Sequence, residues 1–378
     1  MNNFNVLLTD ILNCTNKNSK PKVSQKNGFY VLYNFIEGDV KVDYEETITL
    51  TAPADVRFLN NIVPLAIRWQ APMSIAVYTP GHDFYTALKV IAYLRSCTTP
   101  EIRQFVTFHL FFDEGHLPNS KKPLLEAYED EYDCNDKDPT KTIEGDKLYK
   151  QQNDLLFPIN VARNIAREAA RTYLVFPSDI ELFPTPNFVN KFMDFIRKEP
   201  SLIWGNRNVF VLPLFEMKQG LEMPSNKSEL IDMIKNKKAF WFHQGICESC
   251  HRVIDGTKWL SNAERDEITV FASGKRQGKQ VIWEPFFICT NNEPLWDERM
   301  TWEGQANKMS QVFSLCLQDY TFNVLDNAFL MHKPGIKGKK LQNVKYMNVT
   351  RRSMKLLKGV ISPELKKIYG NREGCRIM

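Results

Sequence analysis

The chain has 378 residues, of which 43% are hydrophobic, 25% charged and 12% aromatic, a composition that supports a sizeable core and excludes a disordered chain. Lys and Arg exceed Asp and Glu by only 49 to 44, so no nucleic-acid partner is expected. No apolar run approaches the roughly 18–20 residues that a membrane-crossing helix needs, so no membrane-spanning segment is expected either.

The amino terminus, MNNFNVLLTDILNCTN, lacks the basic start and the long apolar stretch of a signal peptide, which alone reads as a soluble, untargeted chain. Eight cysteines and sequons at Asn13, Asn226 and Asn348 pull the other way, toward a secretory lumen. The Lys-rich stretch from His332 to Lys340 reads as solvated surface charge. No internal repeat interrupts the chain, and no linker divides it, so one main domain is expected.

In chain order, FYVLYNF (29–35) and TITLTA (47–52) read as strands, and 57–70 is open between helix and strand. SIAVYTP (74–80) is a short apolar run that ends at Pro80-Gly81, as a buried strand does. Residues 82–97 place Phe84, Leu88, Ile91 and Leu94 on one helical face, and a second buried strand follows at Phe105–Phe112. The polar, acidic stretch 113–153 reads as a loop and short-helix excursion. A helix (160–171), a strand (173–177) and a helix (186–198) with Phe188, Phe192 and Phe195 on one face come next. Then NVFVLPLF (208–215) is a strand, 216–280 is irregular, 279–290 is a strand, and 303–318 is a helix. TFNVLD and AFLMH are short strands before a basic helix around 351–369. Alternation of apolar strand and amphipathic helix gives an α/β chain with a mostly parallel mixed sheet flanked by helices.

In such sheets ligands bind beyond the carboxyl ends of the strands. Asp179 and Glu181 lie there, just after YLVFP. In an extended chain their i, i+2 spacing points both carboxylates to one side, where they can converge on one hard divalent cation, Mn²⁺ or Mg²⁺. An acidic-x-acidic triplet on its own is commonly a solvated turn. The preceding helix changes the balance, because Asn160, Arg163, Asn164 and Arg167 offer amide and guanidinium groups suited to a diphosphate.

The run N-x-x-R-N-x-A-R-x-x-A-R followed by YLVFPSDIELFP resembles a glycosyltransferase family, family 49. That family contains β-1,4-glucuronyltransferase and the second catalytic domain of the bifunctional xylosyl/glucuronyltransferase. WQAPMSIAVYTPGHDF (69–84) resembles its first nucleotide-binding strand, and WEPFFI (283–288) its acceptor-side strand. WDERMTWEGQANKMSQVF with FNVLDNAFLMHKPG (296–335) is similar to its closing segment. The resemblance implies a GT-A-type fold over 71–378, with 1–70 as a β-rich extension packed on the core. It further implies a UDP-sugar donor, glucuronate first and N-acetylglucosamine second, a glycan acceptor, Mn²⁺ (or Mg²⁺), inversion, and work in the Golgi lumen. One position departs from the family: its usual motif is Asp-x-Asp, and this chain has Asp179-Ile180-Glu181. A catalytically silent, lectin-like relative that binds glycans is therefore the competing expectation.

By the same resemblance His332 completes the metal shell and Lys333 meets the donor diphosphate. Inverting transfer requires a carboxylate to accept the acceptor hydroxyl's proton. Asp297 matches the family's residue in its block, with Glu303 and Glu284 in reserve, and Arg299 as a salt-bridge partner that orients the loop. Trp283, Trp296 and Trp302 suit stacking on sugar rings and suit a core equally. CESCH (247–251) has the C-x-x-C-H pattern of haem attachment and, with His243, the ligand types of a zinc site. In the family that segment is expected to be structural, with a disulfide involving Cys247 or Cys250.

Overall fold

The computed structural model of the chain describes residues 23–120, 122–204, 207–301, 304, 306–332 and 344–377. It is mixed α/β, in keeping with the GT-A-like class, and it divides into two compact units. One is built on Asn16–Ile180, the other on Glu181–Met300 and Gly304–Met378.

The first unit contains β1 (Val23–Lys26), β2 (Phe29–Ile36), β3 (Ile48–Asp55), β4 (Met73–Tyr78), β5 (Val106–Asp113) and β6 (Leu174–Pro177), in the order β1-β2-β5-β4-β3-β6. Asn27 and Gly28, both at positive φ, close the β1–β2 hairpin, as a two-residue turn matched to strand twist requires. From β5 to β6 the pairing is parallel, and β3 and β4 are buried at every residue, which is why they read as near-continuous apolar runs. Strands β2 and β3, both before residue 71, thus belong to the same sheet as β4 and β5. Helix Asp83–Cys97 crosses over from β4 toward β5 after a short helix at Pro100–Phe105. Helix Ile159–Ala169 lies against β3 and β4, burying Val161, Ala162, Ile165 and Ala166 with Ala76 and Phe111.

The second unit contains β7 (Leu182–Pro184), β8 (Asn208–Leu212), β9 (Leu214–Met217), β10 (Ala239–Trp241), β11 (Thr269–Gly274), β12 (Phe286–Thr290), β13 (Thr321–Asp326) and β14 (Leu330–His332). Here one group runs β12-β8-β13-β11 and a four-stranded sheet runs β10-β9-β14-β7. Helix Phe188–Lys198 places Phe192 and Phe195 against Phe210 of β8. Each such buried ring contributes about 1.5–3 kcal/mol of transfer free energy.

The expectation of a mostly parallel sheet is corrected. Antiparallel pairs frame the parallel strands: β1–β2 is a hairpin, whereas β2–β5, β8–β12, β11–β13 and β7–β14 pair strands distant in the chain, so no local pattern announces their direction. The strand expected at 208–215 is split at Pro213, which cannot donate to a ladder. The stretch 216–280 is not irregular: it holds β10, β11 and helices Lys227–Lys235, Glu248–His251 and Gly256–Ser261, elements too short to leave a period. The strand expected over 279–290 shrinks to β12, and the helix expected from 303 begins at Met309.

Disulfides join Cys97 to Cys134, Cys247 to Cys250 and Cys316 to Cys375. The first ties helix Asp83–Cys97 to the polar excursion, and the last ties helix Met309–Leu317 to the carboxyl-terminal end.

Candidate active site

In the first unit the parallel strands β5, β4, β3 and β6 present their carboxyl ends on one edge, bringing together Asp113, Tyr78, Asp55 and, just past β6, Asp179. Tyr78 Oη donates to Asp113 Oδ2 at 2.8 Å, and burial together with that carboxylate raises the phenol well above its ordinary range. Buried Lys150 donates its Nζ to Asp55 Oδ2 at 2.9 Å, and Arg57 Nη2 reaches the same oxygen at 2.8 Å. Burial acts to raise the Asp55 carboxyl, but the two cations outweigh it and hold the group below its usual value. Asp83 accepts from the backbone N–H groups of Tyr149 and Lys150, and burial raises its carboxyl in spite of them. Residues 35 to 95 positions apart in the chain are thereby fixed at one strand edge. Sequence reasoning missed Asp55, Asp113 and Lys150, since nothing local marks a lysine in a polar loop as buried.

Helix Ile159–Ala169 supplies the support for Asp179. Asn160, Arg163, Asn164 and Arg167 are all buried in this unit. Arg163 Nη2 donates to Asp179 Oδ1 at 3.0 Å, and its Nη1 donates to Asn160 Oδ1 at 3.2 Å. Arg163 is 6% exposed and Asp179 35%. A charge-assisted bond from a nearly immobile guanidinium therefore orients a carboxylate that keeps one side open to solvent.

In the second unit His332 ends β14, between β9 and β7, in register with Glu216 and Leu182. Its side chain is 2% exposed, and Nε2 lies 3.8 Å from Glu181 Oε2. Neither ring nitrogen has a hydrogen-bond partner among the described residues. Buried imidazole nitrogens are ordinarily satisfied, so an orphaned Nε2 near a carboxylate is the kind of group that can hold a cation. Among the described residues, however, no group of three His, Cys, Asp or Glu side chains gathers as a metal cluster. Glu216, a fully buried acid in the apolar strand LFEM, sits beside His332 in the sheet. Sequence reasoning passed over it, although an acid inside an apolar strand is the kind of signal that finds such residues.

Around His332 the aromatic groups are layered. The Phe242 ring stacks on His243 at 3.7 Å and lies 5.0 Å from both His251 and His332. His251 Nδ1 donates to the Glu284 carbonyl at 3.0 Å, and Glu284 N donates to the Cys250 carbonyl at 2.7 Å. With both sulfurs of CESCH joined in a disulfide, neither thioether attachment of haem nor thiolate ligation of zinc is open, and those two readings are set aside.

Both oxygens of Asp297 accept from Arg299, at 2.9 Å from Nε and 2.6 Å from Nη2, and Arg299 also donates to Glu364. Those two acids raise the guanidinium further. This fork holds the Asp297 carboxylate in place. Glu284 precedes β12 and is half-buried. Trp283 and Trp296 are core residues and present no ring face to a sugar. Glu303, Lys333 and Trp302 lie outside the described residues.

Residues 47–370 match the family model described as a glycosyl-transferase for dystroglycan. The chain is similar to β-1,4-glucuronyltransferase 1 of Danio rerio, with 27% identity over 339 residues covering 81% of this chain and 73% of that protein. It is similar to the Homo sapiens protein of the same name, with 27% identity over 331 residues, 86% of this chain and 76% of that protein. Xylosyl- and glucuronyltransferase LARGE1 of Danio rerio is 23% identical over 336 residues, 87% of this chain and 37% of that longer protein.

Proposed function

Since the chain belongs to this glycosyltransferase family, we propose that it transfers a sugar, glucuronate first, from a UDP-sugar to a glycan hydroxyl with inversion and with Mn²⁺ or Mg²⁺. Asp179, Glu181 and His332 are the proposed ligands of the cation. When bound, such an ion neutralises charge on a departing diphosphate. Arg163 orients Asp179 from the buried helix, and Asn160 holds Arg163 in turn. Asn164 and Arg167 continue that polar face, and Lys333 is the proposed partner of the donor phosphates. Asp297 is the proposed base, held in place by Arg299, with Glu284 and Glu303 as substitutes.

The orphaned, buried imidazole of His332 beside Glu181 carries this reading. An oxidising lumen, the Golgi by family, suits a chain with three disulfides among its described residues. The same proposal is tested by calorimetry of UDP binding with and without Mn²⁺, followed by turnover of a UDP-sugar panel. Binding should depend on the metal and weaken about a hundredfold in Asp179→Asn, the size expected for loss of a group that shapes a metal site. UDP-glucuronate should turn over ahead of UDP-N-acetylglucosamine. Equal UDP binding without metal would remove the cation from the scheme. Glutamate at position 181, where the family has aspartate, favours the second reading, a silent glycan-binding relative. Glycan binding with no turnover of any donor selects it.

A further inference from the structure

Positive charge is concentrated near the carboxyl terminus. From Val344 onward the chain has nine Lys or Arg and two Glu, a surplus of seven, against five for the whole protein. The segment is helical over Val344–Leu356, passes through a π turn at Leu357–Ile361, and is helical again over Ser362–Tyr369. Arg351, Arg352, Lys355, Lys358, Lys366 and Lys367 are exposed, and none forms a salt bridge among the described residues, whereas Arg372 pairs with Asp319. The one acid among them, Glu364, is taken by Arg299. Arg351, Lys355 and Lys358 are spaced i, i+4, i+7, which sets them on one helical face, and the stripe to Lys366 extends for roughly 22 Å at 1.5 Å per residue.

We propose that this stripe binds an acidic, uronate-bearing glycan chain and so holds a growing acceptor on the enzyme; the choice of glycan rests on the glucuronyl-transfer reading above. Cations in a row attract a polyanion with evenly spaced carboxylates, and the one acid among them, Glu364, is bonded to Arg299 and acts on Lys367. Two other polyanions fit less well. A bilayer surface needs an apolar face beside the cations. Here Leu357 and Ile361 are buried, and Leu365 and Tyr369 pack on Phe313 and the Cys316–Cys375 pair, which leaves Met347, Val360 and Ile368 as the large apolar side chains still exposed there, too few to form such a face. Nucleic acid binding to a single strand relies on exposed aromatic rings for stacking, and from Arg351 to Lys367 the chain has no aromatic residue, while Tyr369 just beyond is packed in that cluster.

The experiment measures binding of the full chain to polyglucuronate, to a neutral glucan of the same length, and to vesicles of phosphatidylcholine with or without phosphatidylserine. Wild type is compared with a variant carrying Arg351→Gln, Lys355→Gln, Lys358→Gln and Lys366→Gln. Polyglucuronate should bind, weaken with added salt, and lose at least tenfold in the variant, while transfer to a single-sugar acceptor stays unchanged. Equal affinity in the variant, equal binding of the neutral glucan, or binding to anionic vesicles without polyglucuronate overturns the proposal. The four side chains are exposed and form no salt bridge among the described residues, so the Gln variant should melt at the wild-type temperature. If no UDP-sugar turns over but polyglucuronate still binds and is lost in the variant, the stripe stands and the transferase reading falls. Turnover with no polyglucuronate binding gives the converse.

Discussion

Two of the buried histidines, His109 in the first unit and His332 in the second, are treated in opposite ways. His109 in β5 is fully buried and fully satisfied: Asn34 N donates to Nδ1 at 2.8 Å, and Nε2 lies 2.8 Å from Ser74 Oγ, whose hydroxyl donates to the Ala166 carbonyl. A bulge in β2, with Asn34 at positive φ, aims that N–H at the ring. His332 is 2% exposed and has no hydrogen bond to either nitrogen among the described residues. Burial of a polar group is costly unless its bonds are replaced. The first unit has replaced them with backbone and hydroxyl partners, so His109 is a structural residue. At His332 the cost stands among the described residues, as expected of a group proposed to hold a cation.

The contrast breaks most sharply with His332→Leu. Loss of an unsatisfied imidazole to an apolar side chain should leave unfolding free energy within about 1 kcal/mol of wild type. Mn²⁺-dependent UDP binding should fall about a hundredfold or more. Chemical denaturation and calorimetry on the same preparation read both numbers. A variant that loses several kcal/mol and keeps its nucleotide makes His332 a structural residue like His109.

Arg163→Gln is the next largest effect. It removes the guanidinium that orients Asp179 while keeping a polar group near Asn160. Metal affinity should drop by roughly ten- to a hundredfold, in line with other residues that orient ligands, and stability by about 1–2 kcal/mol, because Asp179 keeps solvent on one side. Manganese titration followed by relaxation of water protons reads the affinity without turnover. Unchanged manganese affinity would show that Asp179 needs no help from Arg163.

Much of this was legible in sequence. Long apolar strands such as β3 and β4, and the helix before β6, announce themselves by period and by burial on both faces. Asp179 could be placed at a strand end because its strand is short, apolar and followed by polar residues. What stayed hidden depends on distant partners. Asp55 and Lys150 are separated by 95 positions, and their meeting is set by topology. The bond from Arg163 to Asp179 needs the helix turned so that its polar face lies inside, and an amphipathic pattern alone places that face in solvent. The Asn27-Gly28 hairpin, by contrast, was a readable turn signal that went unread.

The smallest effect tests the other half of the comparison. Burial, with a contribution from Arg171, pushes His109 down to about 3 from an ordinary 6.5. In the folded protein the ring therefore stays neutral, as it must while Asn34 N–H points at Nδ1. The unfolded chain protonates it near 6.5. A folded value below the unfolded one means that the stabilisation is complete above pH 6.5 and is lost as pH falls from there toward 3. Between pH 7.5 and 5.5 this one residue should cost about 1.4 kcal/mol of unfolding free energy. His109→Phe lowers stability at every pH, by leaving Asn34 N–H and Ser74 short of a partner, but it deletes that slope. Urea unfolding of both proteins at the two pH values gives the difference directly, and the other histidines and the carboxylates cancel in the subtraction. If the slopes match, His109 accepts a proton without penalty, and the neutral, fully bonded ring that separates it from His332 is wrong.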